Sequence, residues 1–534
     1  MGIVRIAPIA AAVIVAAGLP AFGDPAAADP SPLVRTDKGV VRGEARQGHR
    51  LFQGIPFAAP PVGALRWRPP QPARPWKGVY DATSPRSQCA QLASPFGGST
   101  GTYGEDCLYL NVTVPEHAKG RRLPVMVWIH GGDNVMGNGS IYNAAKLARQ
   151  GGVVVVTINY RLGVLGGLAH PGLETGPDRR LQAGNYGLLD QQAALRWVRR
   201  NITAFGGNPG NVTVFGESAG SANTCANLAS PVSAGLFHRA IPQSYACDTP
   251  TRTEAKAEAD AVTLAKAVGC ETASPAASVR CLRALPARRL MEAFQAANMG
   301  AYPVAGGDHV LPLQPREAIR RGRFNRVPVM HGNTMDEMRL FVGFLYPRPI
   351  TVAQYEGIVR ELYGAKAGKV LARYPASRYS EPRIALATLM TDAPGPLSTC
   401  SHSRTLGMFA RAGVPTYGYQ FADRTAPPLL KVPGFPKGAE HGTELTYLFH
   451  GLLGDLNAAQ RRLSDRMVAY WTSFAHHGRP IARHAPHWPR FRTSKDVLSL
   501  APGRGGIRAT DTAARSHCGF WASIGWPELA IPND

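Results

Sequence analysis

The chain has 534 residues, 44% of them hydrophobic and 18% charged, a globular composition that excludes a disordered or fibrous protein and supplies a large core. Formal net charge is +23, yet only 11 of the 59 basic residues are lysine and no stripe of Lys/Arg interleaves with aromatics, so nucleic-acid binding is not expected. A solvated basic surface of this kind can still attract anionic substrates or acidic envelopes.

In chain order, the first feature is Arg5 followed by an apolar run from Ile6 to Leu19, then Pro20 and small residues through Ala28. This is the pattern of a secretory signal over residues 1–28, with cleavage after Gly23 or Ala28. The run is too short for a comfortable membrane span, so an uncleaved anchor is the lesser alternative and no stable membrane span is expected. The mature chain, residues 29–534, is read as one large domain with insertions, secreted or periplasmic. Eight cysteines in an exported chain read as disulfides; Cys89 and Cys107 flank a Ser/Gly-rich segment, and Cys270 and Cys281 bracket a short Pro/Ala/Ser loop. No C-x-x-C pair points to zinc or redox work, and no metal is expected.

Strand-like runs follow at Leu123 to Ile129, Val153 to Ile158, Val212 to Phe215, Val327 to Met330 and Val414 to Phe421. Most are separated by helical or loop segments, which argues a large, mostly parallel α/β sheet. Gln182 to Asn201 carries Leu188, Leu189, Ala193, Ala194 and Trp197 at helical spacing and supplies a crossover helix. Ala-rich helical stretches at Thr253 to Val268 and Val352 to Tyr374 fall between strands, where they can build a lid.

Gly216-Glu217-Ser218-Ala219-Gly220 stands directly after the run Val212 to Phe215 and before an Ala-rich stretch that can be helical. A serine on such a strand-to-helix turn is pushed above the sheet edge, and the glycines let the backbone pass through the bend. A serine hydroxyl needs a histidine base, and the base needs a carboxylate to fix its tautomer. In the order Ser, acid, His, the acid follows a later strand, where Asp336 and Glu337 both close the loop His331 to Glu337. The base is then His441, on a Gly/Pro-rich loop after Val414 to Phe421, with His450, His476 and His477 as competitors. For the oxyanion of a tetrahedral intermediate, the amide of Ala219 follows the nucleophile, and Gly131, Gly132 and Asp133 follow Leu123 to Ile129 in a turn of the right kind.

These residues resemble the carboxylesterase type B family, the cholinesterase-like branch of the α/β hydrolases, as an exported bacterial-type member. The resemblance runs through Gly54-Ile55-Pro56-Phe57-Ala58, Glu105-Asp106-Cys107-Leu108-Tyr109-Leu110-Asn111-Val112, Asn159-Tyr160-Arg161-Leu162-Gly163, Gly184-Asn185-Tyr186-Gly187-Leu188-Leu189-Asp190-Gln191 and Phe205-Gly206-Gly207-Asn208-Pro209 into the Ser218 motif. It implies an α/β-hydrolase fold with lid-like helical insertions, and Ser218, Glu337 and His441 as a triad. It also implies disulfides Cys89–Cys107, Cys270–Cys281 and Cys400–Cys518, which leaves Cys225 and Cys247 to pair with each other or stay as buried thiols.

Two departures stand out. The family's oxyanion loop is usually Gly-Gly-Gly-Phe or Gly-Gly-x-Phe, whereas this chain has Gly131-Gly132-Asp133-Asn134, setting a carboxylate beside developing negative charge. Between Cys89 and Cys107 there is no tryptophan of the kind cholinesterases stack on a quaternary ammonium. The expected activity is hydrolysis of small-molecule carboxylic esters through an acyl-enzyme, without a cofactor. The alternatives are a non-catalytic adhesion or binding homologue, and an amidase, thioesterase or lactonase using the same site.

Overall fold

A computed structural model describes residues 31–94, 100–118, 122–173 and 184–525; the signal segment expected over residues 1–28 lies outside them. Among the described residues, eleven strands form the central sheet. In chain order they are β1 (Glu44–Arg46), β2 (His49–Pro56), β3 (Tyr109–Pro115), β4 (Leu123–Ile129), β5 (Val154–Ile158), β6 (Gly207–Glu217), β7 (Arg239–Gln243), β8 (Val329–Thr334), β9 (Thr416–Phe421), β10 (Val497–Leu500) and β11 (Arg508–Thr510). The order across the sheet is β11-β10-β9-β8-β7-β6-β4-β5-β3-β2-β1. The block from β5 to β10 is parallel, while β1, β2, β3 and β11 pair antiparallel at the two edges.

The central strands are apolar on both faces because helices cover both. Along β4, Val125, Val127 and Ile129 enter one core with Phe52, Trp197 and Val214. Met126 and Trp128 enter the opposite core with Phe215, Trp471 and Phe474. This is the period-2 alternation of a strand whose two sides are both buried, and it gives an unbroken apolar run in sequence.

Three strand boundaries differ from the sequence reading. Pro328 has no N–H to give to a ladder, so β8 starts at Val329 and continues through the polar His331 to Thr334, which pair with Gly418 to Phe421 of β9. Half of the expected acid-bearing loop is therefore strand. Likewise β9 begins at Thr416, just past Pro415, and β6 begins at Gly207, well before Val212. The stretch Val352 to Tyr374 is two helices, Val352–Tyr363 and Ala367–Arg373, parted at Gly364, whose φ of 50° no helix continues. The crossover helix is Tyr186–Asn201. Among the described residues, no helix is long and apolar enough to cross a membrane.

From β4 the chain runs to β5 on one side, then crosses by Tyr186–Asn201 to β6 on the other. Loops leaving the carboxyl ends of β4 and β6 therefore part in opposite directions and open a crevice, the usual ligand position in an open α/β sheet. Helices inserted after β7 and β8 have apolar clusters of their own. Leu264, Leu282, Leu290 and Phe294 form one together with Val164 from the segment after β5, and Val342, Tyr355, Val359 and Tyr374 another together with Trp521 from the helix Cys518–Ser523. Four disulfides join Cys89–Cys107, Cys225–Cys247, Cys270–Cys281 and Cys400–Cys518. The three implied by resemblance are formed, and Cys225 and Cys247, left open above, are bonded to each other.

Candidate active site

Ser218 stands between β6 and the helix Ala219–Ala229 with φ 55° and ψ −125°. Its neighbours must be glycine for reasons of space. A Cβ on Gly216 would lie 2.5 Å from Gly220 O, and one on Gly220 would lie 2.1 Å from Ile129 O. The bend is thus pressed against the end of β4, and the Ser218 amide is tied to the Gln243 carbonyl at 2.9 Å. Strand register explains the neighbourhood, because Ile129 pairs with Gly216 and so delivers the His130–Asn134 loop beside Ser218. A Cβ on Gly131 would fall 3.1 Å from Ser218 Cβ.

Three glutamates surround one imidazole. His441 Nδ1 donates to Glu337 Oε2 at 2.6 Å, and Glu337 Oε1 accepts the Thr334 amide at 2.7 Å. On the other side, His441 Nε2 lies 3.1 Å from Glu217 Oε1, in a contact of charge that lacks good hydrogen-bond alignment. Glu444 is fully buried nearby, with Oε1 3.4 Å from Gln243 Nε2. Gly442, at φ 78°, lets the histidine loop pass close to Glu217. Among the described residues, the Ser218 hydroxyl makes no hydrogen bond, and the Phe341 ring packs 5.3 Å from the imidazole.

The electrostatics follow from burial and these contacts. Desolvation opposes the charged imidazole, but Glu217 and Glu337 outweigh it and raise His441 to about 10. Burial pushes Glu217 up to about 7 against the pull of His441. Burial also acts to raise Glu337, yet the charge and hydrogen bond of His441 bring it below the ordinary value. His130, stacked on Tyr160 at 4.4 Å, is held neutral by burial, which lowers it to about 4.

Geometry distinguishes the two candidate acids. Asp336 points away into a bidentate pair with Arg424, both contacts 2.9 Å, and also accepts the Ala439 amide. The competing histidines stand elsewhere. His450 is exposed, and His476 and His477 end the helix Ala458–His477, where His476 Nε2 meets Gly151 O.

Around Ser218, the amides of Gly132, Asp133 and Ala219 donate to no protein acceptor among the described residues. Gly131 comes close to Ser218, within 3.1 Å of its Cβ for an added side-chain carbon. Asp133 and Asn134 both have φ 55°, and the Val135 amide bonds back to Gly132 O at 3.0 Å, closing a tight turn. Glu217, Glu444, Tyr142 and Tyr302 were not singled out in the sequence. A glutamate in a motif carries no sign that it will be buried against an imidazole.

A mostly parallel eleven-stranded sheet flanked by helices, with a serine on the bend between β6 and the helix that follows it, is the architecture of an α/β hydrolase. A family model described as Carboxylesterase family matches residues 30–521. The chain is 36% identical to a cocaine esterase of Oryctolagus cuniculus, with 88% of this chain and 92% of the relative covered. It is 35% identical to an acylcarnitine hydrolase of Mus musculus, covering 88% and 87%, and 36% identical to a fumonisin B1 esterase of Sphingopyxis macrogoltabida, covering 88% and 86%. The chain belongs to the carboxylesterase family and is a serine carboxylic-ester hydrolase.

Proposed function

We propose that Ser218 attacks the ester carbonyl, that His441 takes its proton and passes it to the leaving alcohol, and that Glu337 holds the imidazole tautomer. Water then cleaves the acyl-enzyme by the same route in reverse, with no cofactor. The observation that carries the assignment is the 2.6 Å contact of Glu337 with His441 Nδ1, which turns Nε2 towards Glu217, the residue that precedes Ser218 in the chain. For the step itself, Ser218 must turn its hydroxyl to Nε2, displacing the Glu217 contact. Gly132, Asp133 and Ala219 supply amides for the oxyanion, with Gly131 beside them.

The relatives' names span chemically different esters, so family membership alone selects no substrate. Four disulfides fit an oxidising compartment, which supports export to a secreted or periplasmic location. A fluorophosphonate probe tests the assignment. It should label Ser218 in the wild type and leave Ser218→Ala unlabelled. Absent labelling in folded wild type, or hydrolysis retained in Ser218→Ala, would overturn it and favour the adhesion-type reading or another nucleophile.

A further inference from the structure

Asp133 is the residue of the oxyanion loop that family resemblance least accounts for. Its turn asks for positive φ at two successive positions, a conformation that Gly, Asn and Asp adopt with least strain. Glycine or asparagine would serve the backbone equally well, so the turn does not explain the charge. The turn is fixed independently of it, since Asn134 Oδ1 accepts from Asn223 Nδ2 at 2.7 Å and from Tyr160 at 3.2 Å.

Next to this anchored residue, the Asp133 side chain is solvent-accessible, yet enough protein surrounds it that desolvation raises its carboxyl above the ordinary range. Both hold for a group on the wall of a recess and not on the outer surface. The Tyr302 hydroxyl reaches it, and Tyr302 stacks on Tyr245 with centroids 5.5 Å apart. In a chain of net charge +23, no Lys, Arg or His pairs with Asp133 among the described residues.

An unpaired carboxylate beside an amide that faces a forming oxyanion opposes the reaction of a neutral ester. A positive charge brought by the substrate removes that opposition and gains an ion pair in the same step. We propose that Asp133 is a specificity-determining residue that selects esters bearing an ammonium group a few bonds from the scissile carbonyl. A substrate hydroxyl would also hydrogen-bond there but would leave the carboxylate's charge uncompensated, so a cation fits better. This inference rests on the ester-hydrolase reading above.

The test uses two pairs of isosteric esters in which trimethylammonium replaces tert-butyl. One pair varies the acyl side, 4-nitrophenyl 4-(trimethylammonio)butanoate against 4-nitrophenyl 5,5-dimethylhexanoate. The other varies the alcohol side, acetylcholine against 3,3-dimethylbutyl acetate. The quantity read is the kcat/KM ratio of cationic to neutral ester, compared between wild type and Asp133→Asn, which keeps the turn and removes the charge. Taking the ratio within each enzyme cancels any loss of folded protein, the repulsion of the basic surface and the pull of Glu217. In at least one pair the ratio should fall about fivefold or more in Asp133→Asn, the scale of a partly solvated ion pair. Asp133→Gly should lower it similarly while raising kcat on the neutral ester. A ratio unchanged by Asp133→Asn in both pairs overturns the inference. Turnover of the neutral esters and probe labelling of Ser218 would then still stand, separating that failure from failure of the hydrolase assignment.

Discussion

Two carboxylates bracket one imidazole, Glu337 at Nδ1 and Glu217 at Nε2, and the proposed mechanism gives the task of the triad acid to Glu337. Glu337→Gln should lower kcat about a thousandfold, because an amide neither fixes the tautomer nor stabilises the imidazolium. Asp336→Asn, by contrast, loosens the pairs to Arg424, which is largely exposed, and to Arg339, which is largely buried. It should leave kcat per folded molecule within about threefold while costing about 3 kcal/mol of stability, because the Arg339 charge stays buried without its partner. Steady-state kinetics beside thermal melts check the pair, and the reverse ranking would move the acid to Asp336. Glu217 sets a separate expectation for pH. His441 must be neutral to accept the serine proton, and its pKa is raised, so the rising limb of kcat/KM should lie alkaline of the usual histidine value of about 6.5. Glu217→Gln removes negative charge from the Nε2 side and lowers that pKa, so the limb should move towards acid. A profile on a neutral ester that stays put, or moves alkaline, would show that Glu217 does not hold the imidazolium.

At the scale of elements, the bend that carries Ser218 depends on the distance between β6 and β4. Gly220→Ala places a Cβ 2.1 Å from Ile129 O and 2.8 Å from His130 O, both backbone atoms that cannot yield cheaply. The bend must then back away from the His130–Asn134 loop, and on the proposed mechanism activity should fall by at least about a hundredfold. Gly357→Ala is the contrast. It lies exposed in the helix Val352–Tyr363 with nothing within 4 Å of an added Cβ, and should gain about 0.5–1 kcal/mol from helix propensity. Comparable losses in both variants, read by turnover and melting, would remove the steric account. The same contrast explains what was legible in the sequence. β4 and β5 were plain because a parallel strand buried on both faces is an unbroken apolar run. The polar half of β8 was not, since His331 to Thr334 are held as strand by hydrogen bonds from β7 and β9, a tertiary effect with no local signal. Ser218 and His441 were candidates from motif and order, and the residues alone left Asp336 and Glu337 open while the resemblance implied Glu337; that Asp336 pairs with Arg424 and Glu337 with His441 had no sign in the sequence. Glu217 and Glu444 acquire their meaning only from the folding of distant loops onto one point.

Across the whole molecule, the disulfides differ in what they constrain. Cys270–Cys281 closes 11 residues within one inserted unit, whereas Cys400–Cys518 spans 118 and ties the helix Thr399–Arg411 to the helix Cys518–Ser523. In the chain-entropy account, the shorter loop restricts the unfolded chain by about 3 kcal/mol and the longer by about 5. Packing adds to the difference, because Trp521 is buried with Tyr363 and Tyr374 and donates to the Tyr374 hydroxyl at 3.1 Å. Losing the bond would release this end of the chain from the lid region that carries Phe341 towards His441. Unfolding at this size is not a two-state event, so the informative measure is the temperature of half-inactivation at a fixed heating time. Replacing both Cys400 and Cys518 by serine should lower that temperature more than replacing both Cys270 and Cys281, and activity should decline together with Trp521 burial. If the two double variants inactivate alike, loop closure is not what stabilises this end of the chain, and the buried Trp521 cluster holds it without the bond.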